Sequence, residues 1–335
     1  MEFTLTTERA LSEFMRKILL HIGRHKTGTT AIQHFLRDNR AALRAAGWVV
    51  PESGRVNAGH HGFSEPLSPR SHQAGSDPSE LPVFGKLRRE LESEEPDQKV
   101  VISSEAFQNC QPELVRRAFH GYEVTLIVYL RDQVAYLPTA YAQRVHASNL
   151  TDTLDQYYQG HFRNTLNYFA FLKQWESAFD GRIIVRVYQA SDTVADFCEH
   201  GLYLNSEDFS VRSGNSNPSL NSVVTEFKRQ VNCLPESARP DPASIYYLLP
   251  KLNEVFPAPK LSASDRIAED IRKECRASNT KVAKRFFSRR KLFDGPHATG
   301  DSSPHVDGET FDKMMAALKE LMVKYPTPKS ARDAR

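Results

Sequence analysis

No run in this sequence approaches the 18 or so consecutive apolar residues that a bilayer-spanning helix needs, so no transmembrane segment is predicted. The first fifteen residues carry Glu2, Glu8 and Glu13 and lack the apolar stretch of a secretory signal. Cysteine is scarce. Cys110, Cys198, Cys233 and Cys275 are scattered without the spacings of a zinc site or a redox motif, and they read as reduced thiols of a cytoplasmic protein. An excess of one charge is lacking too: 44 Lys and Arg against 41 Asp and Glu leave +3, which argues against a dedicated nucleic-acid binder. There are no internal repeats. What remains is a 335-residue chain of ordinary apolar content, enough for one large α/β domain or a core with a smaller subdomain.

The informative stretch is Lys17 to Gln33, KILLHIGRHKTGTTAIQ. Ile18-Leu19-Leu20 reads as a buried strand, Gly23 to Thr30 as a glycine-punctuated loop, and Thr29 to Ala46 as a helix with Ile32, Phe35, Leu36 and Leu43 inward. Strand, glycine loop, helix is the architecture of an anion cradle, in which loop N–H groups and the positive helix end converge. A Walker A loop would place lysine directly after the second glycine. Here Thr29 stands in that place and the cation has moved to Lys26, inside the loop. The adjacent hydroxyls of Thr29 and Thr30 suit one terminal phosphate, with Lys26 facing a bridging oxygen. The loop fits a phosphate without a magnesium-bound polyphosphate tail.

The segment HIGRHKTGTTAIQ resembles the 5′-phosphosulfate loop of sulfotransferases that use 3′-phosphoadenosine-5′-phosphosulfate (PAPS). That resemblance implies cofactor contacts from Arg24, His25, Lys26, Thr27, Gly28, Thr29 and Thr30. It also implies a second signature, a strand ending in Arg and a hydroxyl residue eight positions on, both holding the 3′-phosphate. Val124 to Leu130, VTLIVYL, is a continuous strand run fit for a sheet centre, and Arg131 and Thr139 stand where the family has Arg and Ser. Arginine presents a planar fork of donors suited to phosphate, and threonine keeps the hydroxyl. Pro138 is expected to kink or loosen the helix that follows. The two signatures lie about 105 residues apart and in family order. The segment LNYFAFLKQWESAFDGRIIVRVY is similar to the matching part of bacterial members, its aromatics reading as core.

Two regions hold candidate proton acceptors. Lys99 to Ser103 reads as a strand, and Glu105 stands just past its C-terminal end, where open parallel sheets bind ligands. Ser104-Glu105-Ala106-Phe107 loosely resembles the catalytic-glutamate setting of carbohydrate sulfotransferases, without the lysine that follows the glutamate there. The other reading of Glu105 is an N-cap or first-turn carboxylate stabilising the next helix. The punctuated loop from Pro51 to Pro82 contains NAGHHGF. Its His60-His61 pair reads as a solvated turn or as a wall able to take a hydroxyl proton, and related bacterial members carry a histidine pair in this region.

From about Ser210 the α/β alternation stops and helical segments follow. Asn279 to Phe293 is basic with aromatics on one face; most of its charges read as a solvated face, while the family's basic C-terminal loop suggests Arg289, Arg290 or Lys291 for the 3′-phosphate. The predicted organisation is a leader at 1–16, a PAPS-binding core at 17–210, a helical part of the same domain at 211–324 and a disordered tail at 325–335. The predicted fold class is α/β, a P-loop-NTPase-like three-layer sandwich with a central parallel sheet and a largely helical C-terminal half. The resemblance implies in-line sulfuryl transfer from PAPS to a hydroxyl or amine on a glycan or small metabolite, leaving 3′-phosphoadenosine-5′-phosphate. Glu105, or else His61, takes the proton and Lys26 stabilises the leaving oxygen. Lys26 and the helix dipole supply the positive field, so no metal is expected. Golgi members carry a membrane anchor, so a chain without one is expected to be a bacterial or cytosolic form. A small-molecule kinase and an inactive nucleotide-binding module are the other readings, and the sequence is silent on oligomeric state.

Overall fold

The computed structural model describes residues 15–72, 75–211, 220–294, 299–300 and 304–326. Nearly all of the expected leader and most of the expected tail therefore lie outside the described residues. The contacts divide the chain into two compact units. The first holds the described residues up to Arg131 and those from Tyr168 to Val211. The second holds Asp132–Asn167 and the described residues from Leu220 onward. The segment between Asp132 and Asn167 thus clusters with the C-terminal helices.

The first unit is an α/β fold around a five-stranded sheet: β1 (Lys17–His21), β2 (Trp48–Val49), β3 (Lys99–Ser103), β4 (Glu123–Leu130) and β5 (Ile183–Val187). The order is β2-β3-β1-β4-β5 and every pairing is parallel. The strand run expected at the sheet centre, β4, lies between β1 and β5, and β1 is the central strand. Successive side chains of a strand face opposite ways. Leu19, Val101, Ile127 and Tyr129 pack with Ile32, Phe35 and Leu36 of helix Thr29–Asp38 and with Phe197 and Leu202. Their alternates Ile18, Leu20, Val100, Ile102, Leu126 and Val128 are buried as well. A sheet buried on both faces is the middle of three layers, and it explains why these strands read as unbroken apolar runs.

The register positions the site. His21 at the end of β1 lies opposite Ser103 of β3 and Ile127 of β4. The segments leaving β1, β3 and β4 therefore emerge side by side at the carboxyl edge of the sheet, where the strand order reverses and open parallel sheets place ligands. The helix expected to run to Ala46 is split into Thr29–Asp38 and Arg40–Ala45. Asn39 stands at the break: its backbone still bonds Phe35 O and Leu43 N, while its side-chain amide donates to Phe35 O and Ser210 O and its Oδ1 accepts from Ser210 N. The expected structureless loop at 51–82 contains helical turns at His61–Ser64, Glu65–Leu67 and Pro78–Glu80.

The second unit is helical among the described residues, with helices Gln133–Ser148, Ser222–Cys233, Pro242–Val255, Asp265–Phe287 and Gly308–Lys324 the longest. One core joins Leu137, Tyr141 and Val145 to Tyr158, Ile267 and Ile271, and another joins Val224, Phe227, Leu249, Leu252 and Met314. Pro138 lies inside helix Gln133–Ser148. No helix among the described residues is long and apolar enough to cross a membrane.

Candidate active site

The loop after β1 is shaped by two left-handed backbone positions. Lys26 has φ 59° and Gly28, the N-cap of helix Thr29–Asp38, has φ 79°. Gly28 offers no side-chain cap, and the first-turn N–H groups of a helix have no intrahelical acceptor. That is the condition for receiving an anion. Thr29 is buried and Thr30 is exposed. Thr27 is buried and its hydroxyl donates to Arg24 O at 2.6 Å, which closes the loop from within. Arg24 is buried too, its guanidinium lying over the rings of Tyr168 (4.8 Å) and Phe171 (5.1 Å). These two side chains brace the cradle.

Arg131 closes it from the β4 side. Its Nη1 donates to Lys26 O at 2.9 Å across 105 residues of sequence, and its guanidinium lies 5.4 Å from the Tyr188 ring centre. Tyr168 anchors the backbone below by donating to Arg131 O at 2.8 Å. Lys26 is exposed at the surface, yet surrounding atoms strip part of its hydration; that loss, with the Arg131 charge beside it, pulls its pKa below the ordinary lysine value. Thr139 lies in helix Gln133–Ser148 of the second unit, its hydroxyl donating to Tyr136 O at 2.8 Å. Arg289, Arg290 and Lys291 follow the end of helix Asp265–Phe287, and Arg289 lies over Phe287 at 4.8 Å.

Ser104, not Glu105, caps the turn after β3, its hydroxyl accepting from Ala106 N at 3.3 Å. The Glu105 carboxylate turns instead toward the phosphate loop. It accepts from Gln33 Nε2 at 2.6 Å and stands 3.9 Å from His25 Nδ1. Burial opposes its ionisation, but attraction to His61 when that ring is protonated, its own N–H, Gln33 and His25 outweigh that and hold it below the usual carboxylate value. Burial lowers the His25 pKa, against the pull of Glu105 and with the push of Arg24, Lys26 and His61.

The histidine pair divides its labour. His60 is fully buried; its Nδ1 accepts from Ser103 N at 3.2 Å, so its Nε2 donates to Pro51 O at 3.0 Å. Both nitrogens are used, and burial pulls its pKa down to about 4. His60 is structural. His61 is partly exposed, bonded through Nδ1 to Ser104 Oγ at 2.9 Å. The site thus gathers Lys26, His25, Glu105, Arg131 and His61, together with three residues not foreseen in the sequence: Gln33, Ser64 and Ser104. Gln33 carried a signal, a polar residue between the inward Ile32 and Phe35, and the structure buries it to 5% exposure. The serines carried none. Among the described residues no group of three or more His, Cys, Asp and Glu side chains is placed to hold a metal ion.

Gly23 sets how closely the loop and the β3 turn approach. Its φ is +86°, and a Cβ there would lie 2.5 Å from Glu105 Cα and 3.0 Å from Glu105 O, both backbone atoms. Gly23→Ala is expected to lower stability by about 2–4 kcal/mol in urea denaturation, from left-handed strain of about 1–2 kcal/mol plus overpacking. Gly121→Ala, at φ +89° but with nothing within 4 Å, should cost the strain alone. Equal losses in the two variants would show that the Gly23–Glu105 contact constrains nothing.

Neither a protein-family profile nor a curated protein sequence matches the chain. Among solved structures it is similar to the crystal structure of a sulfotransferase from Alicyclobacillus acidocaldarius, at 18% identity and a TM-score of 0.41, over 61% of this chain and 87% of that one. A likeness of that size says nothing of donor or acceptor.

Proposed function

We propose that this protein is a sulfotransferase that moves a sulfuryl group from PAPS to an acceptor hydroxyl or amine. The observation that carries this reading is the bond from Arg131 to Lys26 O, which joins the two cofactor signatures into one cationic cradle. The N–H groups of Thr29 and Thr30 and the Lys26 ammonium take the 5′-phosphosulfate. Arg131 takes the 3′-phosphate, with Thr139 expected as its second donor. The acceptor oxygen or nitrogen forms a bond to sulfur as the bond to the bridging oxygen breaks. The electron pair leaves on the 5′-phosphate, and the acceptor proton passes to the corner that holds Glu105 and His61. The acceptor is proposed to be a glycan or small metabolite, and the protein to work in the cytoplasm.

A kinase reading needs a carboxylate free for magnesium past β4. Asp132 stands there, but its Oδ1 accepts from Val134 N at 2.8 Å and Ala135 N at 3.3 Å, capping the next helix. That favours sulfuryl over phosphoryl transfer.

Calorimetric titration tests the donor. The protein should bind 3′-phosphoadenosine-5′-phosphate in preference to ATP–magnesium, and Arg131→Ala should weaken that binding about 10- to 100-fold, as loss of charge-assisted hydrogen bonds implies. A preference for ATP–magnesium, or indifference to Arg131, would sink this reading and promote the kinase.

A further inference from the structure

Three polar contacts join His61 to Ser104 and Ser64. His61 Nδ1 lies 2.9 Å from Ser104 Oγ, Ser104 Oγ lies 2.9 Å from Ser64 Oγ, and Ser64 Oγ lies 3.1 Å from the His61 carbonyl. Counting protons fixes their directions. A carbonyl oxygen only accepts, so the single Ser64 hydroxyl proton is committed to His61 O. The Ser64–Ser104 contact must then use the single Ser104 proton. Ser104 Oγ, which also accepts from Ala106 N, has no proton left for the ring. The third contact therefore requires the proton to sit on His61 Nδ1. A neutral imidazole protonated there carries its lone pair on Nε2.

We infer that Ser104 and Ser64 are positioning residues that hold neutral His61 in its Nδ1–H tautomer, so that Nε2 is the atom that takes the acceptor proton. The chemical purpose rests on the sulfuryl-transfer reading; the tautomer does not. The relay is dry, with Ser64 1% and Ser104 0% exposed, so water does not compete for its protons. A Cβ on Gly59 would lie 2.7 Å from His61 Nε2 and 2.9 Å from Gln33 Cδ, so Nε2 and the amide that holds Glu105 both border Gly59. The titratable groups facing His61 are Glu105, His25 and His60. Of these only Glu105 is anionic, and it balances the imidazolium once Nε2 is protonated. In the other tautomer Nε2 carries a hydrogen and takes none.

The test is the long-range ¹H–¹⁵N spectrum of the full ¹⁵N-labelled chain, with the His61 signals assigned by their loss in His61→Gln. Wild type should show protonated Nδ1 and unprotonated Nε2. Ser64→Ala frees the Ser104 proton to donate to the ring, so the tautomer should switch although Ser64 does not touch the imidazole. Transfer should then fall at least tenfold, within the range of general-base contributions, with affinity for 3′-phosphoadenosine-5′-phosphate unchanged. Ser104→Thr, which keeps the hydroxyl, should retain the wild-type tautomer even if Ser104→Ala folds poorly. Nε2–H in wild type, or an unchanged tautomer in Ser64→Ala, overturns the inference. The predicted tautomers in a protein that ignores the bisphosphate would instead overturn sulfuryl transfer and leave the relay standing.

Discussion

Lys26→Met is expected to lower the rate of sulfuryl transfer by about 10²–10³-fold while weakening binding of 3′-phosphoadenosine-5′-phosphate far less. Charge grows on the bridging oxygen only as its bond to sulfur breaks, so a cation aimed there acts mainly on the transition state, and removing one preorganised electrostatic partner typically has an effect of that size. The surroundings of Lys26 fit the task. Its partly dehydrated ammonium is screened less than one in bulk water, and the bond from Arg131 to its carbonyl holds the backbone from which it extends. The left-handed backbone of Lys26 offers a second reading of the same position. Strain of this kind costs about 1–3 kcal/mol and persists where the surroundings hold it in place. Lys26→Gly should therefore make the protein more stable and less active together. Single-turnover rates for both variants decide the matter: unchanged chemistry in either would remove Lys26 from the mechanism, and equal losses of rate and bisphosphate affinity would make it a binding residue only.

The cradle was legible because its signals are local. Gly23, Lys26, Gly28 and the paired threonines lie within eight residues, and the spacing alone excluded a Walker lysine. The sheet was legible for a related reason: β1, β3 and β4 are buried on both faces and so are written as continuous apolar runs. What sequence could not give is what register supplies. Only the pairing of His21 with Ser103 and Ile127 brings the β1 loop, Glu105 and Arg131 to one edge. At the split of helix Thr29–Ala46 the Asn39 side chain also bonds Ser210, 171 residues away, a partner that no local pattern could announce. The histidine pair shows the same limit. Two adjacent imidazoles look alike in sequence, yet Pro51 and Ser103 enclose one while Ser104 holds the other at the site.

Acidification should destabilise the protein steeply between about pH 6.5 and about pH 4, and two buried histidines account for most of it. His21 and His60 are both fully buried, and burial draws each pKa from 6.5 down to about 4, against the Glu105 charge for His21 and against hydrogen bonds to Pro51 and Ser103 for His60. His21 binds Ser103 Oγ through Nδ1 at 2.8 Å, its buried Nε2 has no hydrogen-bond partner among the described residues, and its ring packs against those of Tyr129 and Phe197. A proton added there would be a charge among aromatics. Below pH 6.5 the unfolded chain therefore binds protons that the folded chain refuses, so stability is fully present above that value and falls until the folded rings titrate near 4. A fall in pKa from 6.5 to about 4 corresponds to roughly 3 kcal/mol per ring, and two rings together to a large part of the roughly 5–15 kcal/mol that holds a domain folded. His25, lowered mainly by burial, adds in the same direction, whereas Glu105, held below the carboxylate range, loses its contribution only at lower pH. Urea denaturation at pH 7, 6 and 5 measures the slope. His60→Asn keeps an acceptor for Ser103 N in the place of Nδ1 but loses the bond from Nε2 to Pro51 O, so it should lower stability at pH 7 and flatten the pH dependence by about half, with His21→Asn removing most of the remainder. A slope unchanged in both variants would mean that the acid transition belongs to the carboxylates, and that neither ring is held neutral by the fold.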